Sequence, residues 1–338
     1  MLKRKLALLL SGLAVTSMVL MGCSTGTDAT KATVLRVAHV QGEDHPQHAA
    51  MLEFEKYVEE KTNGEIDVQV FPNELLGPQR QTVELTQTGA IDFVIASVGL
   101  LEAFESRYTV FNLPYLFDSR EHYFATMEDQ DIIGEIFNAT EQSGFVGLTW
   151  FDAGTRNVYT VKKPVMTPDD MKGLKIRVQS SPVNLALISA LGASPTPMSF
   201  GEVYTALQQS VIDGAENNEL ALTNNKHGEV APYYSYTQHG MIPDILIGSK
   251  KTLDRLTPEQ QQVIFEASEV ANAYEIEKWA ESVEKAKAQA LEMGVQFNEV
   301  DIEAFQAKVL PIHEQFLTTP GLNSTYEKIR EKAETLTN

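Results

Sequence analysis

Arg177 is the residue whose setting most plainly demands chemistry. It lies in Met171–Ser181, MKGLKIRVQSS, where Leu174, Ile176 and Val178 alternate with Lys175, Arg177 and Gln179. That is the period of a strand with one buried face. A parallel strand inside an α/β protein has both faces covered. A guanidinium there keeps its proton, and burying it without a partner is costly. Two kinds of partner would satisfy it: a fixed carboxylate of the protein, such as Glu216 or Asp213, or an anionic ligand. Other polar groups carry less. His45 and His48 stand three apart with no further ligand nearby in sequence, which predicts solvent-facing rings and no metal site. Asp169-Asp170 and Glu59-Glu60 read as caps and solvated faces. GxGxxG, GxxxxGK[ST], GxSxG and HExxH are all absent, and no catalytic constellation stands out.

The elements that must position Arg177 follow from the pattern. Strands are predicted over Val34–Val40, Glu65–Phe71, Ile91–Ala96, Phe145–Phe151, Arg156–Val161, Val211–Ala215, Tyr233–His239 and Asp244–Ser249. Helices are predicted over His45–Thr62, from Gly77-Pro78 onward with proline at the first position, over Ser119–Met127, Asp131–Gln142 and Pro182–Leu191. Another ends near Gln208 behind a Ser199/Glu202 capping box. Leu113–Phe117 is an apolar loop suited to a core. From Thr257 to about Glu292 no glycine or proline interrupts a helical pattern. More than ~30 residues at about 1.5 Å each is longer than one lobe, so this helix should brace two.

Composition supports that picture. The 338 residues, 43% hydrophobic and 22% charged, have room for two α/β lobes. The net charge is −19 and becomes −22 once residues 1–22, with three basic residues and no acidic one, are removed. Nucleic acid and anionic lipid are therefore poor ligands, and any anion site must be built locally from arginine and backbone donors.

The N-terminus carries an address. Lys3-Arg4-Lys5 precedes an apolar stretch, Leu6–Leu20, too short for a stable span, and Leu20-Met21-Gly22-Cys23 ends in the chain's one cysteine. This resembles a bacterial lipoprotein signal, with cleavage before Cys23 and lipidation of it. Residues 24–33 are small, polar and aperiodic, as a tether is. The expectation is an exported protein, lipid-anchored on the outer face of the cytoplasmic membrane or in the periplasm, with no intramolecular disulfide.

Several blocks in order carry a resemblance that spans nearly the whole mature chain. They are FEKYVEEKTNGEIDVQVFPNELLG at Phe54–Gly77, TGAIDF at Thr88–Phe93, LPYLF at Leu113–Phe117, DMKGLKIRV at Asp170–Val178 and ALGASPTPMSFGEVYTALQQSVIDGAENN at Ala190–Asn218. The chain resembles the DctP-type solute-binding proteins of TRAP transporters. The resemblance implies a two-lobed α/β periplasmic-binding-protein fold with a cleft between the lobes. Lobe I would take 34–154 plus about 243–282, and lobe II 155–242 plus about 283–338. It implies a monomeric receptor that captures a small organic acid and delivers it to a small and a large integral-membrane subunit, with neither enzymatic activity, cofactor nor metal.

The resemblance also assigns residues. Arg177 would hold the ligand carboxylate bidentately, Arg156 would be a second contacting arginine, Asn217 would bond the same carboxylate, and Phe200 would pack on the ligand. Asn218 stands where family members carry proline, which adds hydrogen-bonding capacity. Val40 and Ser97 replace the asparagine and glutamate of the sialic-acid branch. EDHP at 43–46, VQSS at 178–181, GAENN and TQHGMIPDILI look instead like a branch binding glucuronate and galacturonate. Glu43, His45, His239, Ser180 and Ser97 are the further candidates for ligand contact. Phe93–Ala96 lacks the arginine frequent in that branch, so a C4-dicarboxylate or an aldonate stays open. Two rivals also stand: the same scaffold serving a sensor, or an exported lyase with His45 or His239 as base.

Overall fold

The computed structural model describes residues 32–336; the predicted signal and Cys23 lie outside them. Two sheets are formed. The first contains β1 (Thr33–Ala38), β2 (Ile66–Phe71), β3 (Phe93–Ser97), β4 (Phe145–Phe151) and β10 (Asp244–Ser249), in the order β2-β1-β3-β10-β4. The second contains β5 (Thr155–Thr160), β6 (Lys175–Val178), β7 (Ser194–Pro197), β8 (Gly214–Asn217), β9 (Tyr233–Met241) and β11 (Gln296–Asn298), in the order β11-β9-β5-β8-β6-β7. β1 pairs in parallel with β2 and β3, whereas β10 runs antiparallel between β3 and β4. In the second sheet β6 is parallel to both neighbours.

The chain passes from the first sheet to the second at 152–154 and returns at 242–243, between β9 and β10. Gly154 adopts φ +66°, a left-handed turn, and a side chain there would press on Trp279. The helix Pro258–Glu292 runs past both sheets. Thr257 caps it in a reciprocal box with Gln260, and proline stands in its first turn. Its Ile264, Ala267 and Ala271 pack with Leu35, Phe54 and Val58 beneath the first sheet, while Ala290 packs with Tyr159 and Tyr234 of the second. Fully burying a side chain such as Phe54 contributes about 1.5–3 kcal/mol. Leu113, Leu116 and Phe117 are buried in the first-sheet core, as their loop predicted.

Several elements differ from expectation. The strand expected at Val211–Ala215 begins only at Gly214, because Ser210 turns at φ +57° and the Asp213 N–H bonds Lys175 O before the ladder starts. Pro78 precedes its helix instead of opening it. β7 runs through Pro195 and Pro197, which an edge strand tolerates. Helix Ile133–Ala139 stops early in a 3-10 turn over Thr140–Ser143, closed by left-handed Gly144. The span 283–338 does not stay with the second sheet: helix Leu322–Leu336 packs on helix Arg120–Met127. His122 Nε2 meets Ile329 O at 2.7 Å there, and Arg330 pairs with Asp118. Among the described residues no helix is long and apolar enough to cross a membrane.

Candidate functional site

A cleft of about 270 Å³ opens between the two sheets. From the first sheet it is lined by Ser97 at the end of β3, Asp244 at the start of β10, and His45 and Gln47 at the start of helix Pro46–Lys61. From the second come Arg156 on β5, Arg177 on β6, Asn217 on β8, and the Met198–Phe200 turn after β7. These are strand ends and helix starts, where an α/β sheet leaves backbone groups and side chains free to converge. The lining includes a partly buried Gln179–Ser97 contact across the two walls, Ser97 Oγ donating to Gln179 Oε1 at 3.2 Å.

Arg177 is 4% exposed. Its Nε and Nη2 donate to one acceptor, Met198 O, at 3.2 and 2.9 Å, and its Cζ lies 5.6 Å from the Phe200 ring centre. Its remaining N–H groups have no protein acceptor, and no carboxylate pairs with it among the described residues. The two fixed partners considered from sequence are both spent elsewhere: Asp213 accepts the Lys175 N–H at 2.9 Å, and Glu216 belongs to Arg156. Burial pushes the Arg177 pKa down, and Glu216 and Tyr159 only partly offset it. A buried cation at the wall of a cleft, with its fork unfilled, matches the two oxygens of a carboxylate in charge and geometry.

Arg156 is the opposite case. Its Nε and Nη2 both bond the Glu216 carboxylate, Nη2 also reaches Glu216 O at 2.8 Å, and Nη1 donates to Asn217 Oδ1 at 3.2 Å. Burial alone would raise the Glu216 carboxyl, but Arg156 and then His239 hold it at about 2. Arg156 lines the cleft with its charge already neutralised, and its fork is not available for a ligand carboxylate.

The other expected residues divide. Asn217 Oδ1 accepts from Arg156 and from the Asn218 N–H, which leaves its amide Nδ2 as the donor for a ligand. Phe200, Ser180 and Ser97 all line the cleft. Asn218 lines it too, but its amide bonds Ala153 O at 2.8 Å and its Oδ1 accepts the Leu220 N–H at 3.0 Å. Its capacity thus serves the crossing segment. His239 is corrected: it lies behind Glu216, 3.4 Å from Oε2, with Nδ1 against Thr237 Oγ1, and does not line the cleft. Glu43 is corrected as well, being exposed and outside the lining.

His45 is not solvent-facing. It is buried, caps its helix by accepting the Gln47 N–H at Nδ1, and meets Trp279 edge-on. With Nδ1 accepting, Nε2 carries the hydrogen and is a donor. Burial, and then His39 and His48, lower its pKa to about 3, so it is a neutral ring. Among the described residues no group of three or more His, Cys, Asp or Glu could hold a metal ion.

Sequence reasoning missed Gln47, Gln179, Asp244 and Trp279. Gln47 Nε2 donates to Asp244 Oδ2 at 2.7 Å across 197 positions of chain, a pairing with no local signal. Gln179 was the one member within reach, as it follows Arg177 on the alternating strand.

Residues 37–319 match the model of the bacterial extracellular solute-binding proteins, family 7, DctP. The chain belongs to the DctP family. A solved TRAP periplasmic solute-binding protein from Anaerococcus prevotii, with bound D-glucuronate, is 48% identical, covers 90% of this chain and 99% of its own, and superposes with a TM-score of 0.88. A second, from Sulfitobacter sp. with bound β-D-galacturonate, is 35% identical over 88% of this chain and 100% of its own, TM-score 0.86. The Salmonella typhimurium protein YiiZ is 43% identical over 299 residues, 88% of this chain and 91% of that one. As a DctP-family protein the chain is an extracytoplasmic solute-binding receptor of a TRAP transporter, and its two sheets are the two lobes of that fold.

Proposed function

We propose that the cleft captures a hexuronate, D-glucuronate or D-galacturonate, by seating its carboxylate on Arg177, and that the loaded receptor hands it to the two integral-membrane subunits of its permease. The observation that carries this reading is the unfilled guanidinium of Arg177, buried beside a second arginine whose charge is already met. The hexuronates bound by the two solved relatives support the ligand class. Asn217 Nδ2 and His45 Nε2 supply donors, and Phe200 an apolar wall. Lobe closure follows from the site's division between the sheets, with 152–154 and 242–243 as hinges.

Calorimetric titration of hexuronates, aldonates and C4-dicarboxylates tests the reading, with hexuronates expected to bind most tightly. Arg177→Ala should lower hexuronate affinity by about two to three powers of ten, since it leaves the ligand carboxylate buried and unpaired, at ~1.4 kcal/mol per tenfold. Arg177→Lys should recover part, an ammonium being unable to reproduce the fork. Undiminished binding by Arg177→Ala sinks the assignment. The anchor belongs to the same reading: Cys23→Ala should move the protein from membranes to the soluble fraction, and retention would argue against lipidation there.

A further inference from the structure

Asp244 opens β10, in register with Ser97 of β3 and Phe151 of β4. It is 8% exposed and, among the described residues, the only acidic one in the cleft lining. Its Oδ2 accepts the Gln47 amide at 2.7 Å, and the Ser97 hydroxyl shared with Gln179 lies within hydrogen-bond reach. No lysine, arginine or histidine forms an ion pair with it among the described residues. Arg156, the cation whose charge acts on it, is spent on Glu216. Burial is the largest influence on its carboxyl and raises its pKa.

The cleft therefore holds two buried, unpaired charges of opposite sign: Arg177 on the wall from the second sheet and Asp244 on the wall from the first, too far apart to pair with each other. A carboxylate accepts hydrogen bonds and cannot donate them. A ligand spanning the two walls must be anionic at one end and hydrogen-donating at the other. A second carboxylate placed at Asp244 would meet a like charge in a desolvated site, where repulsion is strongest. The third arginine of the lining, Arg80, gives such a group no relief: it is half exposed at the rim and pairs with Glu84 on its own helix.

We propose that Asp244 is the specificity-determining acid of this receptor, accepting ligand hydroxyl hydrogens and rejecting acids that carry a second carboxylate. The proposal deepens the hexuronate reading and rests on it. The test uses the full chain and a matched pair of probes, D-galacturonate and its diacid D-galactarate, with succinate and a zwitterionic amino acid as further arms. Wild type should prefer the monoacid. Asp244→Asn keeps the shape and the Gln47 contact; it should weaken D-galacturonate by about 10- to 100-fold, the range for a lost charge-assisted bond. It should also shrink the monoacid-to-diacid ratio by about tenfold or more, because the repulsion goes with the charge. Asp244→Ser is the second variant, expected to shrink the ratio likewise.

An unchanged ratio in a variant that still binds D-galacturonate overturns the filter and leaves the hexuronate reading standing. Wild type that binds neither hexuronate but takes the diacid or succinate overturns both. Tighter binding of the zwitterion than of the hexuronate overturns both as well, and makes Asp244 an ammonium site. Failure of both variants to fold makes Asp244 a structural residue of β10 and overturns the filter.

Discussion

Arg156 and Arg177 sit two strands apart in one sheet, equally buried, at the wall of one cleft, and they differ in a single respect. Arg156 has its carboxylate built in as Glu216; Arg177 has a backbone carbonyl and an open fork. Paired charge ties β5 to β8, and unpaired charge is left at the wall of the cleft. The contrast shows why counting the buried arginines of a cleft misleads: two line it, and the hydrogen bonds leave only one of them without a protein carboxylate. Net charge points the same way, since a strongly acidic chain attracts an acid only through such a local device.

The largest expected effect breaks the pair itself. Arg156→Ala leaves the buried Glu216 carboxylate with only His239 beside it and should cost about 3–5 kcal/mol of fold stability. Arg177→Ala should leave the ligand-free protein as stable as before or more so, because it removes a cation whose partner is missing. Chemical denaturation of the two ligand-free variants checks this, and equal losses would erase the distinction.

Acid sharpens the comparison. Glu216 is held at about 2 against an ordinary 4.5, so the stability it contributes is fully present above 4.5 and lost only as pH falls toward 2. His39, His45 and His227 are each lowered by burial to about 3 from 6.5. Between those values the unfolded chain binds protons that the folded one refuses, so stability falls as pH drops below 6.5, by up to about 1.4 kcal/mol per histidine and pH unit. Melting temperature should therefore decline from near pH 6.5, well before the Arg156–Glu216 pair fails. His227→Gln should flatten that decline, and an unchanged slope would remove His227 from the account.

The smallest effect concerns Asn218, whose amide and carbonyl both serve backbone at the 152–154 crossing and at Leu220. Asn218→Ala should cost about 0.5–2 kcal/mol of stability, as loss of a cap does, with a smaller change in hexuronate affinity than Arg177→Ala. An affinity loss as large as that of Arg177→Ala, with stability intact, would return Asn218 to the ligand.

Where pattern and fold agree, the cause is local. β4 and β10 have the predicted bounds because unbroken apolar runs with turn residues at each end leave one reading, and the long helix follows from its Thr257 box and its lack of breakers. β7, β11 and the docking of the terminal helix were not legible. A strand reading Ser-Pro-Thr-Pro is a strand only because β6 lies beside it, and three residues at 296–298 extend only because β9 offers an edge. The same division holds at the site. Arg177 shows itself in sequence because a permanent charge falls in a strand whose two faces should both be covered, and the family blocks bring Asn217 and Phe200 with it. Asp244, Gln47 and Trp279 meet only through tertiary folding, and the misplaced His239 shows that a histidine near the site in sequence can lie one layer behind it.

The helix Pro258–Glu292 has a mechanical meaning. It is 35 residues, about 52 Å, and its Trp279 lines the cleft while packing against Gly154 where the chain crosses between lobes. Trp279 divides the rod into unequal arms, roughly 30 Å toward Pro258 and 20 Å toward Glu292. The longer arm is fixed in the first-sheet core through Ile264, Ala267 and Ala271 and the shorter one reaches the second sheet at Ala290, so a single stiff element carries a cleft residue and ties both lobes to it.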